Sequence, residues 1–379
     1  MSGAAETQQN SNEPKNSKFK QQQLPAWQPI LTAGTVLPTF FVIGLAFVPI
    51  GVGLMYFSDQ VNEVVVPYTD CKNAAGILCS KEIEEKPADS CECIMPVSKD
   101  DIGDKIWEGQ VFIYYGLTNF YQNHRRYVKS RDDKQLYGDI KRTPNEDCKP
   151  FDAINGSEKY APCGAIANSL FNDTIVLQWK NTAGAWEDVP LLRTGIAWDS
   201  DKKYKFQNPK NADGSEPKNK DELEKAFAGT VKPMDWQNEI WELDTVTADA
   251  EGNLINNGFQ NEDLIVWMRT AALPNFRKLY RKVKHEETTD FEKGLPADKE
   301  YQLKISYNYP VTQFSGTKSV IIATTSILGG KNPFLGIAYI VVGCICFLIG
   351  IIFLFIHLKF GRTTQEMLNI GPNSQYNSS

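Results

Sequence analysis

The residues of this chain able to do chemistry are its cysteines, a few histidines and one carboxylate-rich stretch. Six of the eight cysteines, Cys71, Cys79, Cys91, Cys93, Cys148 and Cys163, fall in the middle of the chain. The first four run C-x7-C-x11-C-x-C, which lacks the pair-and-pair spacing of a zinc ribbon or finger. An even set reads instead as three disulfides if the segment faces an oxidising compartment. Cys91 and Cys93 share a face of an extended chain and are poorly placed to bond each other. A nested arrangement, Cys71 with Cys93 and Cys79 with Cys91, while Cys148 and Cys163 close their own loop, is one of about fifteen pairings that six cysteines allow.

His124, Arg125 and Arg126 invite an anion-binding or acid–base reading, but no Ser, Cys or carboxylate motif accompanies them. The stretch Asp244 to Asn261 imitates a calcium loop until Gly252 is set at the turn position, which puts Thr247 where the first carboxylate belongs. The chain has three histidines and no G-x4-G-K-[ST], G-x-G-x-x-G, H-E-x-x-H or G-x-S-x-G run. No catalytic, cofactor-binding or metal-ligating residue is therefore assigned, and no cofactor is expected. Two N-glycosylation acceptors stand out, Asn155 in N-G-S and Asn172 in N-D-T, with a third match at Asn377.

What must position these residues is set by two charge-free runs. Gln21 to Ser58 is 38 residues long without Asp, Glu, Lys or Arg, and Leu37 to Phe57 supplies the ~20 apolar residues that a helix needs to cross a bilayer. Asn332 to Ile356 repeats the pattern near the other end. A cleavable signal peptide does not fit the first run: the polar lead-in and the apolar stretch are too long, and MYFSDQ is not a small-residue cleavage site. Cys344 and Cys346 fall inside the second run and read as packing residues.

Lys15, Lys18 and Lys20 precede the first run and Lys359 and Arg362 follow the second, while Asp59 and Glu63 lie just beyond the first. By the positive-inside rule both termini are cytosolic, and the middle is lumenal or extracellular. The expected division is a cytosolic tail at 1–29, a transmembrane helix at 30–57, an ectodomain at 58–331, a second transmembrane helix at 332–357 and a cytosolic tail at 358–379. Asn155 and Asn172 are then accessible to glycosylation and Asn377 is not. The ectodomain is net acidic, which argues against nucleic acid as a partner.

Residues 1–17 are polar and expected to be disordered. Lys18 to Gln28 carries Phe19, Leu24, Trp27 and two prolines, and suits either an interface anchor or an extended contact with a partner. In the ectodomain Val111 to Tyr115 is strand-like, and Leu117 to Val128 has apolar residues at helical spacing. A helix is expected near Leu223 to Phe227, a strand at Leu264 to Met268, and a helix from Pro274 on the spacing of Phe276, Leu279, Tyr280 and Val283. Tyr301 to Tyr309 alternates strictly as a strand, and Val320 to Ile327 is a β-branched strand. The fold class is a membrane protein whose two transmembrane helices flank a large, mainly antiparallel β-sandwich with short helices, stapled by disulfides.

The chain also resembles a known family in KFKQQQLPAWQPILTAGTVLP at 18–38, YYGLTNFYQNHRRYVKSRDD at 114–133 and PCGAIANSLFNDT at 162–174. Two further stretches are NEDLIVWMRTAALPNFRKLYR at 261–281 and GGKNPFLGIAY at 329–339. They resemble the cell-division-control-protein-50, or transmembrane-protein-30, family: β-subunits of the type-IV P-type ATPases that flip phospholipids. The resemblance implies the nested disulfides, a glycan on Asn172 and a non-catalytic subunit. Such a subunit supports folding, exit from the endoplasmic reticulum and aminophospholipid transport by an ATPase α-subunit, in the endoplasmic reticulum, Golgi, secretory vesicles and plasma membrane. The chain lacks a D-K-T-G motif of its own, and LKISYNYP near Ile305 lacks an acceptor Asn that animal relatives carry. The interval from Cys71 to Cys79 is also longer than in those relatives. Contact with the partner is expected at Phe19, Leu24 and Trp27, and on the helices at Pro49, Gly51 and Gly343, with membrane lipids around them. The rival readings are a stand-alone two-pass receptor or lipid-binding glycoprotein, and a lumenal hydrolase.

Overall fold

The computed structural model describes residues 16–25, 32–85, 90–98, 102–103, 106–285 and 290–361. They belong to two compact units, one drawn from residues 1–55 with 334–379 and one from residues 56–333. Trp27, Asn377 and most of the expected disordered tail lie outside the described residues.

The first unit is built on the helices Ala33–Asp59 and Pro333–Phe360, of 27 and 28 residues. At 1.5 Å per residue each reaches about 40 Å, enough to cross a hydrocarbon core of roughly 30 Å. Pro38 and Pro49 lie inside the first helix. The chain is an integral two-pass membrane protein. Residues 17–23 are not extended as expected: the Gln21 and Gln23 amides donate to the Ser17 and Lys18 carbonyls and close a turn.

In the second unit the strands are β1 Glu63–Pro67, β2 Cys91–Val97, β3 Trp107–Glu108, β4 Phe112–Leu117, β5 Ala153–Ile154, β6 Glu158–Tyr160 and β7 Thr174–Lys180. They continue with β8 Trp186–Asp188, β9 Leu191–Leu192, β10 Thr230–Val231, β11 Phe276–Val283, β12 Gly294–Leu295, β13 Tyr301–Tyr307 and β14 Lys318–Ala323. A five-stranded sheet runs β1-β14-β4-β11-β9 and a four-stranded sheet β2-β13-β7-β8, with smaller β10-β6-β5 and β12-β3 sheets beside them. Both large sheets are antiparallel throughout.

Alternation in β13 is complete: Tyr301, Leu303, Ile305 and Tyr307 are buried, and Gln302, Lys304 and Ser306 are not. The buried faces of the two large sheets share one core, with Val64, Ile113, Tyr115 and Val320 from one and Cys93, Ile175, Leu177 and Ile305 from the other. The Ile175 amide donates to the Tyr280 hydroxyl at 3.0 Å, tying β7 to β11, and the ring of Tyr115 stacks on Phe171 at 4.0 Å.

Three expected elements are corrected. Leu264 to Met268 is not a strand but part of a helix, Glu262–Met268, opened by the Asn261 side chain accepting from the Leu264 amide at 3.0 Å. Four of its residues, Leu264, Ile265, Trp267 and Met268, are buried, so a short all-apolar run carried no period to tell helix from strand. Phe276 to Val283 is not a helix but β11, paired to β4. An irregularity between Leu279 and Arg281 shifts its register, and Lys278 and Arg281 are buried with Tyr280 and Val283. A bulge and two buried cations turned a two-residue period into helix-like spacing. Finally, β4 continues to Leu117, Asn119 takes a left-handed conformation with φ 57°, and the helix there is only Arg125–Lys129.

Candidate functional site

On the transmembrane helices the small residues recur every seventh position: Gly44 and Gly51 on the first, Gly336, Gly343 and Gly350 on the second. A methyl group added at Gly51 would lie 2.7 Å from Ile340 Cγ1 and 2.9 Å from the Gly336 carbonyl. At Gly343 it would lie 2.8 Å from Val48 Cγ2, and at Gly44 2.9 Å from the Phe347 ring. In lipid, such close backbone approach is what holds helices together. Gly51 and Gly343 are therefore occupied in pairing the two helices of this chain. Pro49 is exposed and Gly53 would meet nothing within 4 Å, so those two lie away from the second helix. Cys344 is exposed rather than packed between the helices. Before the first helix, Phe19 on the turn and Leu24 just after it are 76% and 56% exposed.

In the ectodomain the disulfides run Cys71–Cys93, Cys79–Cys91 and Cys148–Cys163. The Cys79 amide donates to the Cys71 carbonyl at 3.0 Å, which sets those two side by side. Cys91 and Cys93 present the same buried face of β2 to them. The sulfurs of Cys71, Cys79 and Cys93 converge closely enough to suggest a metal, but each is already bonded to another sulfur, so no thiolate is left to coordinate one. Cys148–Cys163 belongs to a small separate core with Tyr160.

The two glycosylation acceptors differ in setting. Asn155 is exposed on a turn at φ 48°. Asn172 is half-buried, its carbonyl accepts from Asn308 Nδ2, and its side chain lines a cavity of about 210 Å³ with Thr174, Arg193, Asp235, Trp236 and Arg281. Between Asn172 and Thr174 sits a centre that sequence reasoning missed. Asp173 Oδ2 accepts from Lys318 Nζ at 2.6 Å and from the Tyr68 hydroxyl at 2.8 Å, and its Oδ1 accepts from the Asn308 and Tyr309 amides. Lys318 Nζ also donates to the Tyr309 carbonyl and lies 3.0 Å from the Tyr307 ring centroid. Burial pulls the Lys318 ammonium down to about 8, while Asp173 pulls the other way. The available signal was a lysine in phase with Val320 and Ile322 on the inward face of a strand.

The family-like stretch 261–281 is a second such hub. Glu262 accepts from the Ile196 and Ala197 amides and from Lys202 Nζ. Burial opposes its charge, yet these donors hold its carboxyl below the usual range. Asp263 pairs with Arg281 through two bonds of 2.6 and 3.2 Å, and Trp267 Nε1 donates to the Ile166 carbonyl. Lys278 Nζ donates to the carbonyls of Val266, Trp267 and Arg269, closing the end of the helix, and burial pulls its ammonium down to about 7. These polar residues hold the architecture together.

His124, Arg125 and Arg126 are all exposed and line an open cleft with Glu146, Asp147 and Lys149. The Ser130 hydroxyl on the same cleft is taken up by the Ala165 amide. The cleft presents charge without an activated nucleophile.

Comparison with known proteins places these features in a family. The sequence model of the LEM3 (ligand-effect modulator 3) family / CDC50 family matches residues 54–363. Cell cycle control protein 50A of Bos taurus is 49% identical over 353 residues, covering 93% of this chain and 91% of that protein. Cell cycle control protein 50B of Homo sapiens is 42% identical over 360 residues, 93% and 96% of the two chains. ALA-interacting subunit 3 of Arabidopsis thaliana is 39% identical over 351 residues, 92% and 87%. With a family match through the whole ectodomain and the second transmembrane helix, and relatives aligned over nearly their full lengths, the chain belongs to the CDC50/LEM3 family.

Proposed function

We propose that this chain is the non-catalytic accessory subunit of a type-IV P-type ATPase that moves aminophospholipids to the cytosolic leaflet. It assists the folding of the α-subunit, its exit from the endoplasmic reticulum and its transport activity, while ATP hydrolysis resides in the partner. The observation that carries this reading is the alignment over 92% of the chain with a protein named as an interacting subunit. The ectodomain described above fits it, because its buried charges are spent on holding sheets and helix ends. Disulfides and N-glycosylation acceptors in the ectodomain, with lysines outside the first apolar run, support cytosolic termini and a lumenal or extracellular middle.

Partner contacts in this reading are the exposed faces of the two helices around Pro49 and the turn bearing Phe19 with Leu24 just after it, together with Trp27. Gly51 and Gly343 contribute indirectly, by fixing the helix pair. The test is co-expression with type-IV ATPase α-subunits, purification in mild detergent, and measurement of lipid-stimulated ATPase activity. A stoichiometric complex whose activity falls when Phe19, Leu24 and Trp27 are replaced by Ala supports the proposal. A chain that traffics to the cell surface and purifies without any such subunit favours the stand-alone receptor.

A further inference from the structure

The last segment of the ectodomain ends in a turn whose chemistry is unusual. After β14 the Ser326 amide donates to the Gly329 carbonyl at 2.8 Å and the Gly329 amide donates back at 3.0 Å, closing a two-residue turn with Ile327 and Leu328 at its tip. Two-residue turns favour Asn, Asp and Gly, whose backbones and side chains suit the bend. Ile and Leu offer neither advantage, and here they gain nothing by packing: Ile327 is 92% exposed and Leu328 59%. The fold does not need them there, and water disfavours them.

Where the turn sits suggests what covers it. On one side, the Thr324 amide donates to the Asn62 carbonyl and the Asn62 amide to Thr324 Oγ1, at 2.9 and 3.0 Å. On the other side, the Asn332 amide donates to Ser58 Oγ at 3.0 Å. Ser58 directly follows Phe57, the last residue of the first apolar run, and Pro333 opens the second helix. Ile327 is five residues from Asn332 and three from Thr324, so at ~3.5 Å per residue it cannot stray far from residues 58–62. That places it within reach of the headgroup layer, which adds only some 5–8 Å to each side of the hydrocarbon core. Tyr56, 61% exposed, and Lys331, also exposed, supply the aromatic and basic residues that settle at such an interface.

We propose that Ile327 and Leu328 form a lipid-inserting wedge, a third point of membrane attachment that dips into the leaflet on the ectodomain side. Its ligand class is the phospholipid interface, apolar at the tip and anionic or zwitterionic around Lys331. A protein partner would need a far larger surface for a stable contact, whereas a bilayer accepts a two-residue wedge.

The test uses the full chain, carrying any subunit that co-purifies, in phospholipid nanodiscs. Cys344 and Cys346 are replaced by Ser, and a single cysteine at Ile327→Cys, Leu328→Cys or Val246→Cys carries an environment-sensitive fluorophore. Val246, 80% exposed on an ectodomain loop, is the water-exposed reference. Labels at 327 and 328 should emit blue-shifted light, lose emission to lipids spin-labelled near the top of the acyl chain, and resist aqueous iodide. The label at 246 should behave in the opposite way. Iodide quenching at 327 and 328 equal to that at 246 would overturn the wedge, as would protection from both quenchers, which would assign the turn to a protein contact. Should Ile327→Cys fail to fold, Leu328→Cys reports on the same turn.

Discussion

Asp173, the middle residue of the Asn172 acceptor sequence, and Lys318, the first residue of the last strand before the second transmembrane helix, are fully buried against each other with Nζ 2.6 Å from Oδ2. The pair joins residues 145 apart in sequence and brings the sequence around a glycosylation acceptor into register with the five-stranded sheet. Replacing Lys318 by Met leaves a carboxylate buried without a counter-ion, which typically costs about 3–5 kcal/mol. The expected outcome is a marked fall in the thermal midpoint of the detergent-solubilised chain. The double variant Lys318→Met, Asp173→Asn, which keeps the acceptor triplet, should recover part of it. A single variant that melts like the unaltered chain refutes the structural role.

Lys278 gives a pH dependence of defined sign. Burial holds its folded-state pKa at about 7 against an ordinary 10.5. Between those values the unfolded chain binds the extra proton, so raising the pH removes a penalty borne by the folded state, and stability from this group rises from pH 7 upward. Below pH 7 both states are protonated and the term is flat. Comparing thermal midpoints of the unaltered chain and Lys278→Met from pH 7 to 9 should show the unaltered chain gaining relative to the variant. A difference that stays flat from pH 7 to 9 would mean that the three carbonyls around Nζ offset burial and keep the folded-state ammonium protonated.

The helix pair separates internal from external contacts. Gly51→Leu forces side-chain atoms into Ile340 and the Gly336 carbonyl, and overpacking of this kind costs roughly 1–3 kcal/mol. It should lower the yield and melting point of the chain purified alone. A Cβ added at Gly53 meets no atom within 4 Å, so Gly53→Leu should leave the isolated chain unchanged, while reducing recovery of a complex if the partner packs on that face. Equal effects of the two substitutions on the isolated chain would contradict the packing described.

Covalent mapping tests sidedness. Non-reducing peptide analysis should recover the three disulfides, and glycosidase treatment should remove glycans from Asn155 and Asn172 with Asn377 bare. Cys148→Ser opens a loop of sequence separation 15, worth about 3 kcal/mol on the chain-entropy estimate, and should reduce export. A glycan on Asn377 would reverse the proposed topology.

Much of this architecture was legible in residue patterns where one face is dry and the other wet. β13 showed itself by strict alternation, and the transmembrane helices by length without charge. The reading failed where charge was buried. Lys278 and Arg281 sit on the inward side of β11 because a helix end and Asp263 receive them, and a polar residue at a core position looks like surface until its acceptor is known. The helix Glu262–Met268 failed for the complementary reason, since its apolar face nearly encircles it. Among the proposed contact residues, types were readable but directions were not: Gly51 and Pro49 lie two residues apart, and only the packing of the second helix shows that one faces inward and the other outward.

The strand order has a consequence for how the protein is made. β14 lies between β1 and β4, and β13 between β2 and β7, so the strand that joins β1 or β2 to the rest of its sheet comes from the final stretch of the ectodomain. During synthesis, β1 must therefore wait, unpaired, for about 250 residues and β2 for about 200 until their neighbours emerge. Asp173 waits 145 residues for Lys318. The disulfide hairpin beside β2 can close early on its own, but β1 and β2 join their sheets only when the second transmembrane helix is about to follow. A chain interrupted before residue 301 keeps its first transmembrane helix, Asn155, Asn172 and the six disulfide-forming cysteines, yet exposes open strand edges on both sheets. Completion of both sheets thus reports that synthesis has passed β14.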